Sequence, residues 1–111
     1  MVRYEDSLSL TFTALADPTR RRVLKRLARR PAAVTELASA YQVSVPGMLK
    51  HLRVLERASL LRTAKDGRVR HCRIAASPMR SAAKYLDNFR ELWERRFDAL
   101  EELMRRMEEE K

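Results

Sequence analysis

The sequence predicts a mainly α fold with one small β-hairpin and a long closing helix. Three observations predict it. Apolar residues recur at spacings of three and four over most of the chain, which is the helical period. The segment LLRTAKDGRVRHCRI, residues 60–74, switches to a period of two around Asp66-Gly67, a two-residue hairpin signal. Over residues 79–108 apolar and aromatic side chains step by three and four without a break. The 111 residues, 45% of them apolar, with only two glycines and four prolines, suit one domain with a modest core and few turns.

Residues 5–15 form the first helix, with Leu8, Leu10, Phe12 and Leu15 as its apolar side. Asp17-Pro18 stops it and starts the next: aspartate caps, and proline fits a first turn that needs no amide. The second helix runs from Pro18 to about Arg29. It turns Val23, Leu24, Leu27 and Ala28 inward and Arg20, Arg21, Arg22, Lys25 and Arg26 outward. Arg30-Pro31 ends it. A short helix follows over Thr35 to Tyr41, with Leu37, Ala38 and Tyr41 as its apolar face. Gln42-Val43 is a tight connection, and Ser44 caps the helix SVPGMLKHLRVLE. Short helix, tight turn, second helix is a helix-turn-helix layout over residues 34–58.

On that second motif helix Met48, Leu52 and Leu55 share one side, and Pro46, Lys50, Arg53 and Arg57 share the other. Val54 falls on the outer half and needs a second surface to cover it. Pro46 and Gly47 keep the first turn thin, so backbone can approach a groove wall. Free amides and the positive dipole end of the helix favour phosphate there.

With Asp66-Gly67 as the turn of the hairpin over residues 60–74, Lys65 pairs with Arg68, Thr63 with Arg70 and Leu61 with Cys72. One face then runs from apolar at the base (Leu61, Cys72, Ile74) to basic at the tip (Lys65, Arg68, Arg70). Facing like charges destabilise a hairpin locally, and an external anion relieves them. Ser77-Pro78 opens the last helix, residues 79–108. Its stripe of Leu86, Phe89, Trp93, Phe97, Leu100, Met104 and Met107 is too long for one small domain to cover. Its first half should fold back on the core and its second half should meet another copy.

The net charge is +9, and it is segregated. Residues 1–75 hold 16 Lys/Arg against 6 Asp/Glu, and residues 76–111 hold 8 against 9. A field concentrated this way attracts a phosphate polymer or an acidic surface. No apolar run reaches the roughly 20 residues of a membrane span, so no membrane partner is expected. The N-terminal stretch lacks the layout of a secretory signal. A single cysteine suits a reducing cytoplasm.

Read together, these elements form one winged helix-turn-helix domain over residues 1–111, with helices at 1–16 and 79–108 for dimerisation, the motif at 34–58 and the wing at 60–74. The runs ALADPTRRRVLKRLARRP, TELA, KHLRVLERASLL and DGRVRHCRI resemble the ArsR-type (ArsR/SmtB) transcriptional regulators. The tail YLDNFRELWERRFDALEEL resembles a metal-independent branch of that family. The resemblance implies a homodimeric repressor with its second motif helix in the DNA major groove and its wing on the adjacent backbone or minor groove. It places Ser44, Val45, Pro46, Gly47, Leu49, Lys50, His51 and Arg53 at the docking surface, with Arg62, Lys65, Arg68 and Arg70 from the wing. It places Leu8, Phe12, Phe89, Trp93, Phe97, Leu100 and Met104 in the dimer contact. The expected partners are an imperfect palindrome of double-stranded DNA and a second copy of the chain; near Tyr85, Phe89 and Trp93 plain dimer packing is the reading, with entry of an unidentified small-molecule inducer as the alternative.

The chain departs from the commoner family pattern in three places. Relatives carry glutamine or serine where Val45 and Pro46 stand, and serine where Leu49 stands. Val45 and Leu49 can touch only apolar edges such as a thymine methyl. Relatives also carry glycine where Ser59 stands, just past the helix end, where a left-handed conformation costs serine roughly 1 kcal/mol more.

Other chemistries find little footing. Metal sensing in this family uses cysteines in a pattern like ELCVCDL; here the residues are Glu36-Leu37-Ala38-Ser39-Ala40-Tyr41, and no histidine lies beyond His71. His71 and Cys72 point to opposite faces of a strand. No metal and no cofactor are expected. Cys72 reads as a buried structural thiol, with a redox role near Arg70 as the alternative. His51 reads as a packed, hydrogen-bonded residue, with base contact and pH tuning as the alternative. No nucleophile elbow, phosphate loop or enclosed triad points to an enzyme. The carboxylates of the last helix alternate with arginines as a solvated face. A module binding an acidic protein partner is the competing function, supported by Val45 and Leu49. Single-strand binding lacks a stacking platform, since aromatics are 6% of residues and most sit in the helix stripes.

Overall fold

The computed structural model describes residues 4–110. In chain order they form α1 (Tyr4–Leu15), α2 (Pro18–Leu27), β1 (Ala32–Ala33), α3 (Val34–Ala40), α4 (Val45–Arg57), β2 (Leu61–Asp66), β3 (Val69–Ile74) and α5 (Ser77–Glu109). The fold is mainly α with a small antiparallel sheet of strand order β1-β3-β2. The core lies where α2, α3 and α4 meet the base of the sheet: Val23, Leu27, Leu37, Met48, Leu52, Leu55, Leu60, Leu61 and Cys72 are all at most 2% exposed. Burying one such large side chain stabilises by roughly 1.5–3 kcal/mol, so this cluster is what holds the motif helices in place.

Local chemistry sets the helix ends. Asp17 caps α2 by accepting from the Arg20 amide at 3.0 Å, with Pro18 in the first turn. That hydrogen bond is the main reason its carboxyl sits below the ordinary value, with the charges of His51 and Arg20 adding to it against partial desolvation. α2 stops at Leu27, and Ala28, expected to face inward, is the exposed C-cap. Both helices of the motif end in the same device. After α3, Gln42 takes φ 54° while the Val43 amide reaches the Ala38 carbonyl at 3.0 Å. After α4, Ser59 takes φ 60° while the Leu60 amide reaches Leu55 at 2.9 Å. These are Schellman closures, and each places a side-chain-bearing residue where glycine is favoured. The expected left-handed Ser59 is therefore present.

On α1, the buried face is Leu8, Thr11 and Ala14, with Phe12 and Leu15 half-buried. Leu10, expected on that face, is 39% exposed, because two residues is more than half a helical turn from Leu8. Thr11 is buried by donating its hydroxyl to the Ser7 carbonyl at 3.0 Å. Val54 is half-buried, packed against the core cluster.

The sheet differs from expectation in two ways. A third strand, β1, pairs Ala32 with Cys72 and Ala33 with His71. Two alanines carry no strand pattern, so only the pairing reveals them. The hairpin register is also displaced: Lys65 faces Arg70, Thr63 faces Cys72 and Leu61 faces Ile74. The turn is Gly67-Arg68 rather than Asp66-Gly67. Gly67, with φ 63°, occupies the first central position, as in a type II′ turn, and Asp66 stays extended opposite Val69. The displacement is two residues in pairing sum, so each strand keeps the same face inward. Ile74 at the hairpin base is 37% exposed, not buried with Leu61 and Cys72.

α5 is 33 residues, about 50 Å long, and the subunit reaches 73 Å in its longest dimension. Its packing on the core is shorter than the expected half. Ala82 is buried and the Tyr85 ring meets Phe12 at 5.9 Å, but Leu86 is already 53% exposed. Beyond it Phe89, Trp93, Phe97, Leu100, Met104 and Met107 all stand open. Rings of Tyr85, Phe89, Trp93 and Phe97 follow one another at 5.7–6.0 Å, so the stripe is preordered along one face. No described helix is long and apolar enough to cross a membrane.

Candidate nucleic-acid interface

α4 presents its start and one long side to solvent. Ser44, Val45, Pro46, Lys50, Arg53 and Arg57 are exposed, while Gly47 and Leu49 are half-buried. Ser44 caps as expected, its Oγ accepting from the Gly47 amide at 3.1 Å. The role of Gly47 is different from the one expected. A Cβ at Gly47 would lie 3.0 Å from Ser44 Oγ and 3.1 Å from Val43 Cγ1, so the glycine makes room for its own cap and the preceding turn, not for a groove wall. The expected set of free amides is correspondingly small. Pro46 has none and the Gly47 amide is taken, which leaves those of Ser44 and Val45 among the described residues.

His51, expected at the docking surface, packs toward α2. Its Nδ1 lies 3.3 Å from Arg20 Nη1 and 3.7 Å from Asp17 Oδ2. It therefore ties α4 to the start of α2. Arg20 belongs to the same knot and is not the surface cation expected of it. Its Nε donates to the Ala14 carbonyl at 2.8 Å and its Nη2 to Thr13 at 3.0 Å. Arg21 donates to Leu15 at 2.7 Å. A guanidinium at the carbonyl end of a helix is favoured by both hydrogen bonding and the dipole. Arg26 is committed as well, to the Arg30 carbonyl at 2.9 Å and to Glu36 at 2.7 Å.

The wing supplies the other wall. Lys65 faces Arg70 across the ladder and Arg68 is the second turn residue. Arg70 reaches Thr63 Oγ1 at 3.4 Å, and Thr63 reaches Glu56 on α4 at 3.4 Å. Helix and wing are thereby linked through one carboxylate in a basic hollow of about 400 Å³ lined by Arg53, Glu56, Arg57 and Arg70. Beside it, toward the helix start, a hollow of about 230 Å³ lies between Val45 and Leu49 of α4 and Arg68, Val69 and Arg70 of the wing. Arg62 stands apart. It pairs with Arg73 on the opposite face of the hairpin from Lys65 and Arg70. Sequence reading missed Glu56, Thr63 and Val69 as parts of this surface. The strand alternation could have flagged Thr63; nothing local marked Glu56 or Val69.

Cys72 lies under this wall with no exposed surface. Burial pushes its thiol up to about 11, with the Glu56 charge adding to the rise and Arg70 opposing it. Among the described residues no three His, Cys, Asp or Glu side chains are grouped as a metal would require.

A tight turn between two short helices, a capped second helix with a cationic outer side, and a basic hairpin beside it define a winged helix-turn-helix. A helix-turn-helix domain family matches residues 15–64. The HTH-type transcriptional regulator Rv2034 of Mycobacterium tuberculosis is 40% identical over 76 residues, covering 68% of this chain and 71% of that one. The transcriptional repressor SmtB homolog of Synechocystis sp. is 40% identical over 57 residues, 51% of this chain and 43% of its own length. The crystal structure of an ArsR family transcriptional regulator superposes with a TM-score of 0.77 at 46% identity, covering 85% of this chain and 97% of that one. The chain belongs to the ArsR family of transcriptional regulators.

Proposed function

We propose that this chain is a homodimeric, sequence-specific DNA-binding repressor of transcription, working in the cytoplasm on an imperfect palindrome. The observation that carries the reading is the division of cations. Lys50, Arg53 and Arg57 on α4 and Arg68 on the wing have no hydrogen-bond or ion-pair partner among the described residues, and they line one side of the subunit. Cations left unneutralised on one wall fit a polyanion and release its counterions on binding. α4 enters the major groove by its first turns, with Ser44, Val45, Pro46, Leu49, Lys50 and Arg53 nearest the bases. Arg68, Lys65 and Arg70 meet the backbone beside it. Two copies would set their α4 helices about 34 Å apart, one turn of duplex.

The dimer reading rests on α5. Its open stripe of Phe89, Trp93, Phe97, Leu100 and Met104, continuous with half-buried Phe12, is apolar surface of the kind that a second copy covers. Leu8, expected in the same contact, is 8% exposed and already belongs to the subunit core. The metal-independent assignment is supported by Ala38 and Ala40 on α3, where a thiolate pair would be needed. An unidentified small molecule acting as inducer completes the reading.

Two measurements test it. Selection from a random duplex pool should enrich a sequence with twofold symmetry, bound at physiological salt against excess unrelated DNA. Sedimentation should give a dimer that Phe97→Asp converts toward monomer. A pool that enriches nothing removes the DNA-binding reading, and a wild-type monomer at micromolar concentration removes the dimer.

A further inference from the structure

Outside α1 and α5, the exposed large apolar side chains among the described residues are Val45, Val69 and Ile74. Two of these three line one hollow. Val45, 41% exposed, stands on the first turn of α4, and Val69, 43% exposed, begins the second wing strand. Both line a hollow of about 230 Å³, together with half-buried Leu49, Val34 and Thr35 at the start of α3, and Arg68 and Arg70 of the wing. Helix and wing thus contribute separately to one apolar slot. Its setting is cationic on both sides, with Lys50 and Arg53 along α4 and the two wing arginines opposite.

A slot of this kind asks for an apolar group carried on a polyanion. The major groove of duplex DNA offers one such group, the 5-methyl of thymine; every other base-edge feature there is a hydrogen-bond donor or acceptor. We infer that the Val45–Leu49–Val69 slot is a thymine-methyl reader, and that it supplies part of the sequence preference of the protein. The inference rests on the DNA-binding reading above and adds to it a specificity element made of apolar contact instead of hydrogen bonds. Base choice at this position comes from burying a methyl against valine and leucine, where the Thr35 hydroxyl is the one uncharged polar side chain able to meet another base's edge.

The test uses the full chain and the duplex enriched from a random pool. Each thymine of one half-site is replaced in turn by uracil, which removes the methyl and leaves every hydrogen-bonding group in place. At one or two positions the wild-type protein should lose about fourfold in affinity per methyl. Val45→Ala should bind the thymine duplex several-fold more weakly and discriminate less than twofold between thymine and uracil there. Val69→Ala should show the same loss in smaller measure. Both sites are exposed, and unchanged melting temperatures would confirm that the variants fold. Enrichment of a sequence whose every thymine can become uracil without loss overturns the slot alone. So does a Val45→Ala variant with undiminished discrimination. A pool that enriches no sequence overturns the DNA-binding reading beneath it.

Discussion

On α2, Arg20 and Arg21 donate to the carbonyls of Thr13, Ala14 and Leu15, and Arg26 to Arg30 and Glu36. On α4, one helix away, Lys50, Arg53 and Arg57 are exposed and make no such bond among the described residues. α2 carries five cations and no acid, α4 three cations and Glu56; three of the five on α2 are bound within the subunit, and none of the three on α4 is. The difference lies in what each helix start adjoins. Only two residues separate α1 from α2, so the first arginines of α2 sit beside the exposed carbonyls of a helix terminus. α4 begins after a Schellman turn whose carbonyls are already satisfied by backbone. Net charge therefore overstates the interface: part of the positive excess is spent within the subunit.

The strongest test of this division is Arg20→Ala. It removes two bonds to the end of α1 and the contact with His51, and should cost about 2 kcal/mol of stability in a denaturant titration, about thirtyfold in the folding equilibrium, with no comparable loss in DNA affinity. A fall in the salt dependence of DNA binding in this variant would show Arg20 to be an interface residue and break the comparison. Arg53→Ala should do the reverse: about tenfold weaker binding to the enriched duplex by fluorescence titration, with an unchanged melting temperature.

Ser59→Gly touches neither set of cations and relieves a left-handed residue that closes α4. It should add about 1 kcal/mol of stability while the salt slope stays at the wild-type value. Arg68→Ala should weaken binding to all duplexes about threefold and lower the salt slope by about one.

The smallest expected effect concerns Cys72, which lies on the same strand face as Arg70. If the wing cation activated the thiol, iodoacetamide would label it quickly at pH 8. Burial wins instead: the folded thiol is held up to about 11, so labelling should be slow until the protein unfolds. A raised folded value means that the neutral thiol contributes stability fully below the unfolded thiol range. That contribution is lost as pH rises toward 11. Cys72→Ala should remove this alkaline component from the stability profile.

Much of the molecule follows from local rules. Asp17-Pro18 and Ser44 each name a helix start because a short acceptor side chain can reach an amide three residues on. Met48, Leu52 and Leu55 name the inner side of α4 because helical spacing is independent of what lies opposite. Ser59 names a strained closure for the same kind of reason. What those rules could not supply is everything that depends on a neighbour distant in sequence. β1 exists because β3 has an open edge for Ala32 and Ala33, and two alanines alone encode no strand. The hairpin slipped from its expected register because Gly67 could serve either central position, and the paired strands chose the first. Gly47 proved to answer to Ser44 and Val43, not to a groove.

The candidate surface divides the same way. Residue spacing and charge, properties of single elements, already placed cations along α4 and the wing, a serine cap at the start of α4 and a long apolar stripe on α5. Which arginines are consumed by helix ends, that Glu56 and Thr63 join helix to wing, and that Val45 and Val69 line one hollow emerge with the packed fold. Those facts depend on distances between elements, which packing of the core sets and no local pattern records.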